Sequence, residues 1–136
     1  MRKCTLLENG VRCDSKPEIA VYRSLEKIFP SHKFDKASPS FLRCSRTGNL
    51  LEYDFYCDSL KIAVDYNGIH HYVHNSEEGN WTGQSRQQFI YQFLRDQDKY
   101  DLSLKHGVFY LVVPYTVPID HIENFIRSKL PSDMSV

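Results

Sequence analysis

The sequence predicts one α/β domain whose elements follow the order α-β-β-β-α-β-α. Residues 51–57 and 61–67 alternate between apolar and polar side chains, which is typical of half-buried strands. The apolar run at 108–113 is suited to a buried strand. Apolar residues recur at helical spacing on both sides of these segments, and 136 residues are enough for one core.

The first helix is predicted to begin after Ser15 and to continue to about Phe29. Ser15 and Glu18 form a capping box with Pro17 in the first turn, and Pro30 ends the helix. Its apolar residues lie roughly on one face: Ile19, Tyr22, Leu25, Ile28 and Phe29. The capping box gives Glu18 a purely structural explanation, because its carboxylate can bond to the Ser15 amide.

An edge strand is expected at 33–37, and the two alternating segments then form a hairpin. The first strand has Leu51, Tyr53, Phe55 and Cys57 on one face and Glu52, Asp54 and Tyr56 on the other. The second strand has Ile62, Val64 and Tyr66 on one face and Ala63, Asp65 and Asn67 on the other.

Asp54 and Asp65 are predicted to share one face of this hairpin. A two-residue turn at 58–59 puts Asp54 opposite Ala63 and diagonal to Asp65, whereas a four-residue loop at 58–61 puts the two acids directly opposite. Opposed side chains are about 5 Å apart at Cβ, and like charges there destabilise a sheet. A divalent cation would compensate for the repulsion. A solvent-facing pair without a ligand is the alternative.

A second helical segment follows a loop at 73–83 and is predicted to run from about 84 to 106, where Gly107 stops it. Its predicted apolar stripe is Phe89, Phe93, Tyr100 and Leu104, with Ile90 and Leu94 beside it. After the strand at 108–113, Pro118 opens a final amphipathic helix with Ile119, Ile122, Phe125, Ile126 and Leu130.

Composition and charge permit a DNA-binding enzyme without requiring one. Apolar content of 41% and charged content of 25% are ordinary for a globular protein, and no segment suggests a membrane span or signal peptide, so an intracellular protein is expected. The formal net charge is zero, whereas nucleic-acid binders are usually basic. The stretch 33–46 is nevertheless locally basic. Lys36, Arg43 and Arg46 are predicted to contact DNA phosphates there, with a solvated loop as the alternative.

Four cysteines allow a zinc site but do not favour one. None of them forms a Cys-x2-Cys pair, and an intracellular protein is not expected to form disulfides. A structural Zn²⁺ held by Cys4, Cys13 and Cys44 with a histidine stays open as a less favoured reading. Cys57 fits the apolar face of its strand as a small buried residue.

Residues 65–72, Asp-Tyr-Asn-Gly-Ile-His-His-Tyr, resemble the strand end of very-short-patch-repair-like endonucleases, a branch of the PD-(D/E)xK nuclease superfamily that includes EDxHD homing-type enzymes. The residues at the branch's acidic, Asp/Asn, Gly and His positions are Asp65, Asn67, Gly68 and His71. Blocks 95–99 and 105–115 resemble the family's helix with Asp and Lys and its Gly turn and Pro-ended strand. Glu18 stands where these nucleases often carry an acid.

This resemblance implies a restriction-endonuclease-like fold, in which a mixed β-sheet is flanked by helices. The single nuclease-like domain then has an extension at 1–14, a nuclease core at 15–115 and a C-terminal helix and tail at 116–136. The resemblance also implies DNA as the partner and Mg²⁺ or Mn²⁺ as the cofactor, with Asp54 and Asp65 as the metal ligands.

The implied catalytic residues combine the acid pair with side chains from both helices. Family members often have a lysine two residues after the second acid, where this chain has Asn67, which carries no positive charge. Lys99, on the long helix three residues after Asp96, can supply that charge. His71 is a candidate general acid or base, and His70 a candidate DNA contact. The family's Glu, Asp, His, Asp constellation maps onto Glu18, Asp54, His71 and Asp96.

Simpler explanations exist for several of these residues. Asp96 and Lys99 can be part of a solvated helix face, and the two histidines can belong to a turn after Asn-Gly. The leading hypothesis is a Mg²⁺-dependent DNA endonuclease of homing, repair or restriction type. The alternatives are a non-catalytic DNA-binding or assembly module with a nuclease-like fold, and a protein-interaction domain. A homodimer or a specificity partner is conceivable, since one active site cuts one strand, and a phage or large DNA virus is a natural source by family analogy.

Overall fold

The computed structural model describes residues 5–6, 12–13, 15–68 and 86–131. Its elements are β1 (Thr5–Leu6), β2 (Arg12–Cys13), α1 (Lys16–Ile28), β3 (Asp35–Ala37), β4 (Tyr53–Cys57), β5 (Ile62–Asn67), α2 (Arg86–Lys105), β6 (Phe109–Pro114), a 3₁₀ turn (Ile119–His121) and α3 (Ile122–Lys129). From Ser15 onward this is the predicted order α-β-β-β-α-β-α. The antiparallel pair β1–β2 was not predicted from the sequence.

The central sheet has four strands in the order β3-β4-β5-β6. Strand β4 is antiparallel to both β3 and β5, whereas β6 lies parallel to β5 after the connection that contains α2. The sheet is therefore mixed, and β3 is an edge strand as predicted. Parallel neighbours need a long crossover, which α2 provides here.

Helices cover both faces of the sheet. One face packs against α1 and α3 in a core that includes Tyr22, Leu25, Phe55, Val64 and Ile126. The predicted apolar stripe of α1 is confirmed, because Tyr22, Leu25, Ile28 and Phe29 are buried. The other face lies beneath α2 and the loop before β4, with Leu42, Tyr53, Tyr56, Ala63 and Val108 buried there. Among the described residues, no helix is long and apolar enough to cross a membrane.

A β-bulge changes the predicted faces of β4. Phe55 and Cys57 pack on the α1 side, but Tyr53 lies on the α2 side together with Tyr56. Three residues of β3, from Asp35 to Ala37, lie opposite four residues of β4, from Tyr56 to Tyr53. The extra residue reverses the alternation. The prediction that Leu51 and Tyr53 share a face with Phe55 was therefore wrong.

The predicted apolar stripe of α2 does not pack against the sheet. Of the 20 described residues of this helix, only Ser103 is buried. The exposed fraction is 57% for Phe93, 55% for Tyr100 and 73% for Leu104. The helical periodicity was correct, but most of the predicted stripe faces outward, whereas polar side chains of α2 and Leu102 face the protein.

Candidate functional site

Asp54 and Asp65 meet where the β4–β5 ladder ends. The register pairs Cys57 with Ile62 and Phe55 with Val64, so residues 58–61 form the four-residue connection and the next two residues in register are the two acids. The Asp54 N–H donates to Asp65 Oδ1 at 2.8 Å, and the Tyr66 N–H donates to Asp54 Oδ2 at 2.9 Å. One oxygen of each carboxylate thus replaces a ladder hydrogen bond. The predicted register with a four-residue loop at 58–61, which places the two acids directly opposite, is confirmed.

The other oxygen of each carboxylate faces a lysine. Lys99 Nζ donates to Asp65 Oδ2 at 2.7 Å, and the Tyr110 hydroxyl donates to the same oxygen at 2.7 Å. Lys36 Nζ lies 3.9 Å from Asp54 Oδ1, an ion pair without a direct hydrogen bond. Asp65 is buried, with 2% of its surface exposed. We refer to Asp54, Asp65, Lys99, Tyr110 and Lys36 as the acid–lysine cluster.

The electrostatics of the cluster disfavour two negative charges. Burial, and after it the nearby Asp65 charge, raise the pKa of Asp54 to about 7, although the Tyr66 N–H and Lys99 oppose the shift. Burial and the Asp65 charge also raise the pKa of Tyr110 far above its usual range, so its hydroxyl remains protonated and can donate. A carboxyl group held near neutral pKa by burial and a like charge is characteristic of functional sites.

Two predicted acids lie close enough to act on the cluster electrically. Glu18 is buried at the start of α1, and its charge contributes to the raised pKa of Asp54. The Ser15 hydroxyl caps the same turn by accepting from the Glu18 N–H at 3.4 Å. Asp96 on α2 contributes to the raised pKa of Tyr110. Three segments, α1, the sheet and α2, therefore supply charge to one region.

The remaining predicted catalytic residues lie at or beyond the end of β5. Asn67 is buried, with 7% exposed, and is paired in register with Pro114 of β6. His70 and His71 lie outside the described residues, so their predicted roles stay predictions. The structure brings together Glu18, Asp54, Asp65, Asp96 and Lys99.

The predicted DNA-contacting residues divide into two groups. Lys36 belongs to the acid–lysine cluster. Arg43 and Arg46 instead lie in the exposed loop before β4, where Arg43 Nη1 donates to the Gly48 carbonyl at 2.8 Å. The Arg46 guanidinium lies 4.1 Å from the centre of the Tyr91 ring on α2. Both arginines thus help to shape this loop, and their exposed surfaces remain accessible to phosphate.

The donor set suits a hard cation with few protein ligands. Within the described residues, no group of three or more His, Cys, Asp or Glu side chains is placed to hold a metal ion. Mg²⁺ is commonly held by one or two carboxylates, with waters as its other ligands. Asp54 and Asp65 can provide those carboxylates. Asp65 Oδ2 already accepts two hydrogen bonds, so Asp54 Oδ1 is the more accessible ligand.

The cysteines of the described residues do not assemble a zinc site. Cys13, Cys44 and Cys57 are buried. Cys13 belongs to the core beneath α1, and Cys44 to the core beneath α2, so the sheet separates them. The proposed fourth member, Cys4, lies outside the described residues. Cys57 is a small buried core residue as predicted.

Tyr110 was missed by sequence reasoning. It lies inside the run 108–113, which reads as uniformly apolar apart from the phenol hydroxyl. A buried tyrosine normally finds a partner for that hydroxyl. The parallel register places Tyr110 beside Ala63, two residues from Asp65 on the same face of β5. The sequence signal was a hydroxyl within an otherwise apolar strand. Only the strand register shows that Asp65 accepts its hydrogen bond.

Comparison with known proteins places the chain among viral relatives. Uncharacterized protein 094L of Frog virus 3 (isolate Goorha) is 34% identical over 119 residues, which cover 86% of this chain and 72% of the frog virus protein. The chain belongs to the same family as protein 094L. No family model matches the chain, and no solved structure matches it.

Two invertebrate iridescent virus proteins are also similar to this chain. Uncharacterized protein 033L of Invertebrate iridescent virus 3 is 34% identical over 121 residues, covering 89% of this chain and 60% of the viral protein. Uncharacterized protein 307L of Invertebrate iridescent virus 6 is 34% identical over 107 residues, covering 71% and 49%. The chain thus spans about half to three fifths of these two relatives. These three relatives are viral proteins, in agreement with the expected kind of source.

Proposed function

We propose that this protein is a Mg²⁺-dependent DNA endonuclease of the PD-(D/E)xK superfamily, in its very-short-patch-repair-like branch. The observation that carries the proposal is the convergence of Asp54 and Asp65 on neighbouring strands with Lys99 from the following helix. The mixed sheet with α1 and α2 on its two faces is consistent with a restriction-endonuclease-like domain. Mn²⁺ is expected to substitute for Mg²⁺.

The cluster offers the groups that phosphodiester hydrolysis needs. Asp54 and Asp65 would hold Mg²⁺, which when bound polarises the phosphate and lowers the pKa of a bound water. Lys99 supplies the positive charge that Asn67 lacks at the usual lysine position, and its distance of 2.7 Å from Asp65 keeps that charge beside the acid pair. The Tyr110 hydroxyl fixes the orientation of Asp65.

The surrounding residues have supporting roles in this proposal. Asn67 would hydrogen-bond to water or phosphate. Asp96 would either orient His71, the general acid or base, or contact the cation. Glu18 adds negative charge that favours cation binding. DNA phosphates are contacted by a set of basic residues: Lys36, Arg43, Arg46 and His70. With zero net charge, DNA affinity is expected to be modest and to fall as salt concentration rises.

Plasmid cleavage tests the proposal directly. Supercoiled, mismatched and branched DNA are incubated with the protein and Mg²⁺ or Mn²⁺, and nicked and linear products are resolved on gels. The unsubstituted chain is expected to nick at least one substrate, and Asp54→Ala, Asp65→Asn and Lys99→Met are expected to lose at least tenfold in rate. Chelation of the metal should abolish the reaction.

A matched control uses an acid from the other end of the same hairpin. Asp58 is exposed in the turn, where its Oδ1 accepts from Lys61 Nζ at 2.9 Å. Asp58→Asn should therefore leave nicking unchanged. Circular dichroism checks that each variant folds. Nicking that survives Asp54→Ala, or a failure to cleave any of the three substrates, would reject the endonuclease.

A non-catalytic DNA-binding or assembly module is the second candidate. Asp65 Oδ2 already accepts hydrogen bonds from Lys99 and Tyr110. This favours the second candidate, because a permanent Lys99–Asp65 pair balances the Asp65 charge without a metal ion. This candidate predicts DNA binding without metal and no rise of Tm with Mg²⁺. Either function places the protein inside a cell, in the cytoplasm, nucleoid or nucleus, wherever its DNA partner lies.

A further inference from the structure

Much of the apolar surface of α2 faces solvent, which is unusual for a helix of an isolated globular domain. A surface helix normally turns its apolar face to the core and its polar face to solvent. Three polar contacts join α2 to the protein body: Lys99 with Asp65, Asp98 with Ser45, and Ser103 with Tyr53. Leu102 adds an apolar contact with the core. Four large apolar side chains are left on the outward face, those of Ile90, Phe93, Tyr100 and Leu104. A helix in this arrangement is suited to a second interface.

The outward residues follow the spacing of a helix-packing seam. Successive steps of three, four, three and four residues connect Ile90, Phe93, Gln97, Tyr100 and Leu104. We refer to these five residues as the α2 stripe. Alternating steps of three and four keep side chains in line along a helix that packs against another helix, and a single polar residue within such a seam commonly fixes the register. The α2 stripe has this form, with Gln97 as its polar member.

The α2 stripe is also symmetric about its centre. Reading outward from Gln97, an aromatic residue comes next in each direction, Phe93 and Tyr100, and then an aliphatic residue, Ile90 and Leu104. An interface with two-fold symmetry requires a surface that is complementary to itself. Two antiparallel copies centred on Gln97 place Ile90 beside the partner's Leu104 and Phe93 near the partner's Tyr100. The chemistry of the stripe therefore matches a second copy of itself.

The available surface is sufficient for a weak dimer. The four apolar members of the stripe are 44% to 73% exposed. Aromatic side chains present about 150–250 Å², so these fractions leave roughly 400 Å² of apolar surface on each copy. With the polar rim, an interface between two copies approaches about 1,000 Å², the lower limit for specific association. We propose that α2 pairs with the α2 of a second copy of this chain, antiparallel about a two-fold axis at Gln97.

The proposal goes beyond the proposed function and does not depend on it. Lys99 points toward Asp65, away from the stripe, so the pairing leaves both acid–lysine clusters uncovered by the helix seam. If the chain is a nuclease, the dimer carries two such sites.

Sedimentation equilibrium of the full chain measures the association. The unsubstituted chain is expected to shift from monomer to dimer between about 1 and about 100 μM, as a small interface implies. The double variant Phe93→Glu, Leu104→Glu changes two side chains that are exposed in the isolated chain. The fold should therefore persist while dimerisation is lost. Ile119→Glu is the matched control, because Ile119 is 50% exposed outside the stripe. A monomeric unsubstituted chain at about 100 μM, or a dimer that survives the double variant, overturns the proposal.

Disulfide cross-linking tests the antiparallel register. Under oxidation, the cysteine of the Gln97→Cys variant should form a disulfide with the same residue of the second copy. The Ile90→Cys variant should not, because the two copies of residue 90 lie roughly 21 Å apart along the helix axes. A mixture of Ile90→Cys and Leu104→Cys should give the mixed dimer. Cys13, Cys44 and Cys57 are buried, and the unsubstituted chain shows any background. Self-linking of Ile90→Cys, or no link at Gln97→Cys, contradicts the proposed arrangement.

Discussion

Replacing Asp54 by asparagine should stabilise the metal-free protein at pH 8. The buried Asp54 carboxyl has its pKa raised to about 7 by burial and by the Asp65 charge. At pH 8 the folded protein therefore carries an ionised group that its surroundings disfavour. Asparagine removes the charge and keeps an oxygen that can accept from the Tyr66 N–H, which donates to Asp54 at 2.9 Å.

The size of the effect follows from the change in pKa. A shift from 3.8 to about 7 corresponds to at most about 4 kcal/mol, at about 1.4 kcal/mol for each pKa unit. The Asp54 side chain is 23% exposed, and solvent screening reduces this value. We expect Asp54→Asn to raise the free energy of unfolding at pH 8 by about 2 kcal/mol.

The pH dependence has a definite sign. Because the pKa of Asp54 is raised on folding, its contribution to stability is complete below pH 3.8 and is lost as the pH rises through about 7. The difference between Asp54→Asn and the unsubstituted chain should therefore be small near pH 4, grow up to about pH 7 and then level off. Urea unfolding at a series of pH values, without metal, measures this difference.

Asp58→Asn is the control for this prediction. The pKa of exposed Asp58 is lowered by its hydrogen bonds from Lys61 and Tyr56, so Asp58→Asn should not stabilise the protein at pH 8. Mg²⁺ should narrow the gap between Asp54→Asn and the unsubstituted chain, because a bound cation compensates the ionised pair. An Asp54→Asn variant that is less stable at pH 8, or a difference independent of pH, would refute the reasoning.

Three further substitutions test individual contacts by urea unfolding at pH 7. Lys99→Met should destabilise the fold by about 3 kcal/mol, because it leaves the buried Asp65 charge without its ammonium partner; an unchanged midpoint would contradict that pairing. Tyr110→Phe removes one hydrogen bond to Asp65 and should lower the free energy of unfolding by about 1–2 kcal/mol, and no loss would mean the bond contributes nothing. Ser15→Ala removes the N-cap of α1 and should lower it by about 1 kcal/mol, whereas Ser15→Asp should restore it.

Local pattern was sufficient for the elements but not for the way they pack. The cap at Ser15, the two strands of the hairpin and the strand β6 are each encoded within a few residues, and the structure has all of them. The meeting of Asp54 and Asp65 was also predictable, because a four-residue connection fixes the register. The contacts of Lys99 and Tyr110 with Asp65 could not be predicted from the sequence. They depend on how α2 packs over the sheet and on the register in which β6 pairs with β5.

The errors have physical causes. One extra residue in β4 moved Tyr53 to the opposite face, and sequence alternation does not show where a bulge lies. The apolar residues of α2 have the helical spacing of a core-facing stripe, but spacing does not tell which side of a helix faces the sheet. The Lys99–Asp65 ion pair and the Tyr53–Ser103 hydrogen bond fix that side, and both join residues far apart in the sequence.

A crystal soaked in Mn²⁺ tests the central claim that the acid pair binds a divalent cation. An anomalous-density peak is expected about 2.0–2.3 Å from Asp54 Oδ1, with Asp65 as the second ligand and Lys99 displaced from it. The peak should disappear in crystals of Asp54→Asn. A Lys99–Asp65 pair that stays intact with no peak beside Asp54, at saturating Mn²⁺, would contradict the account.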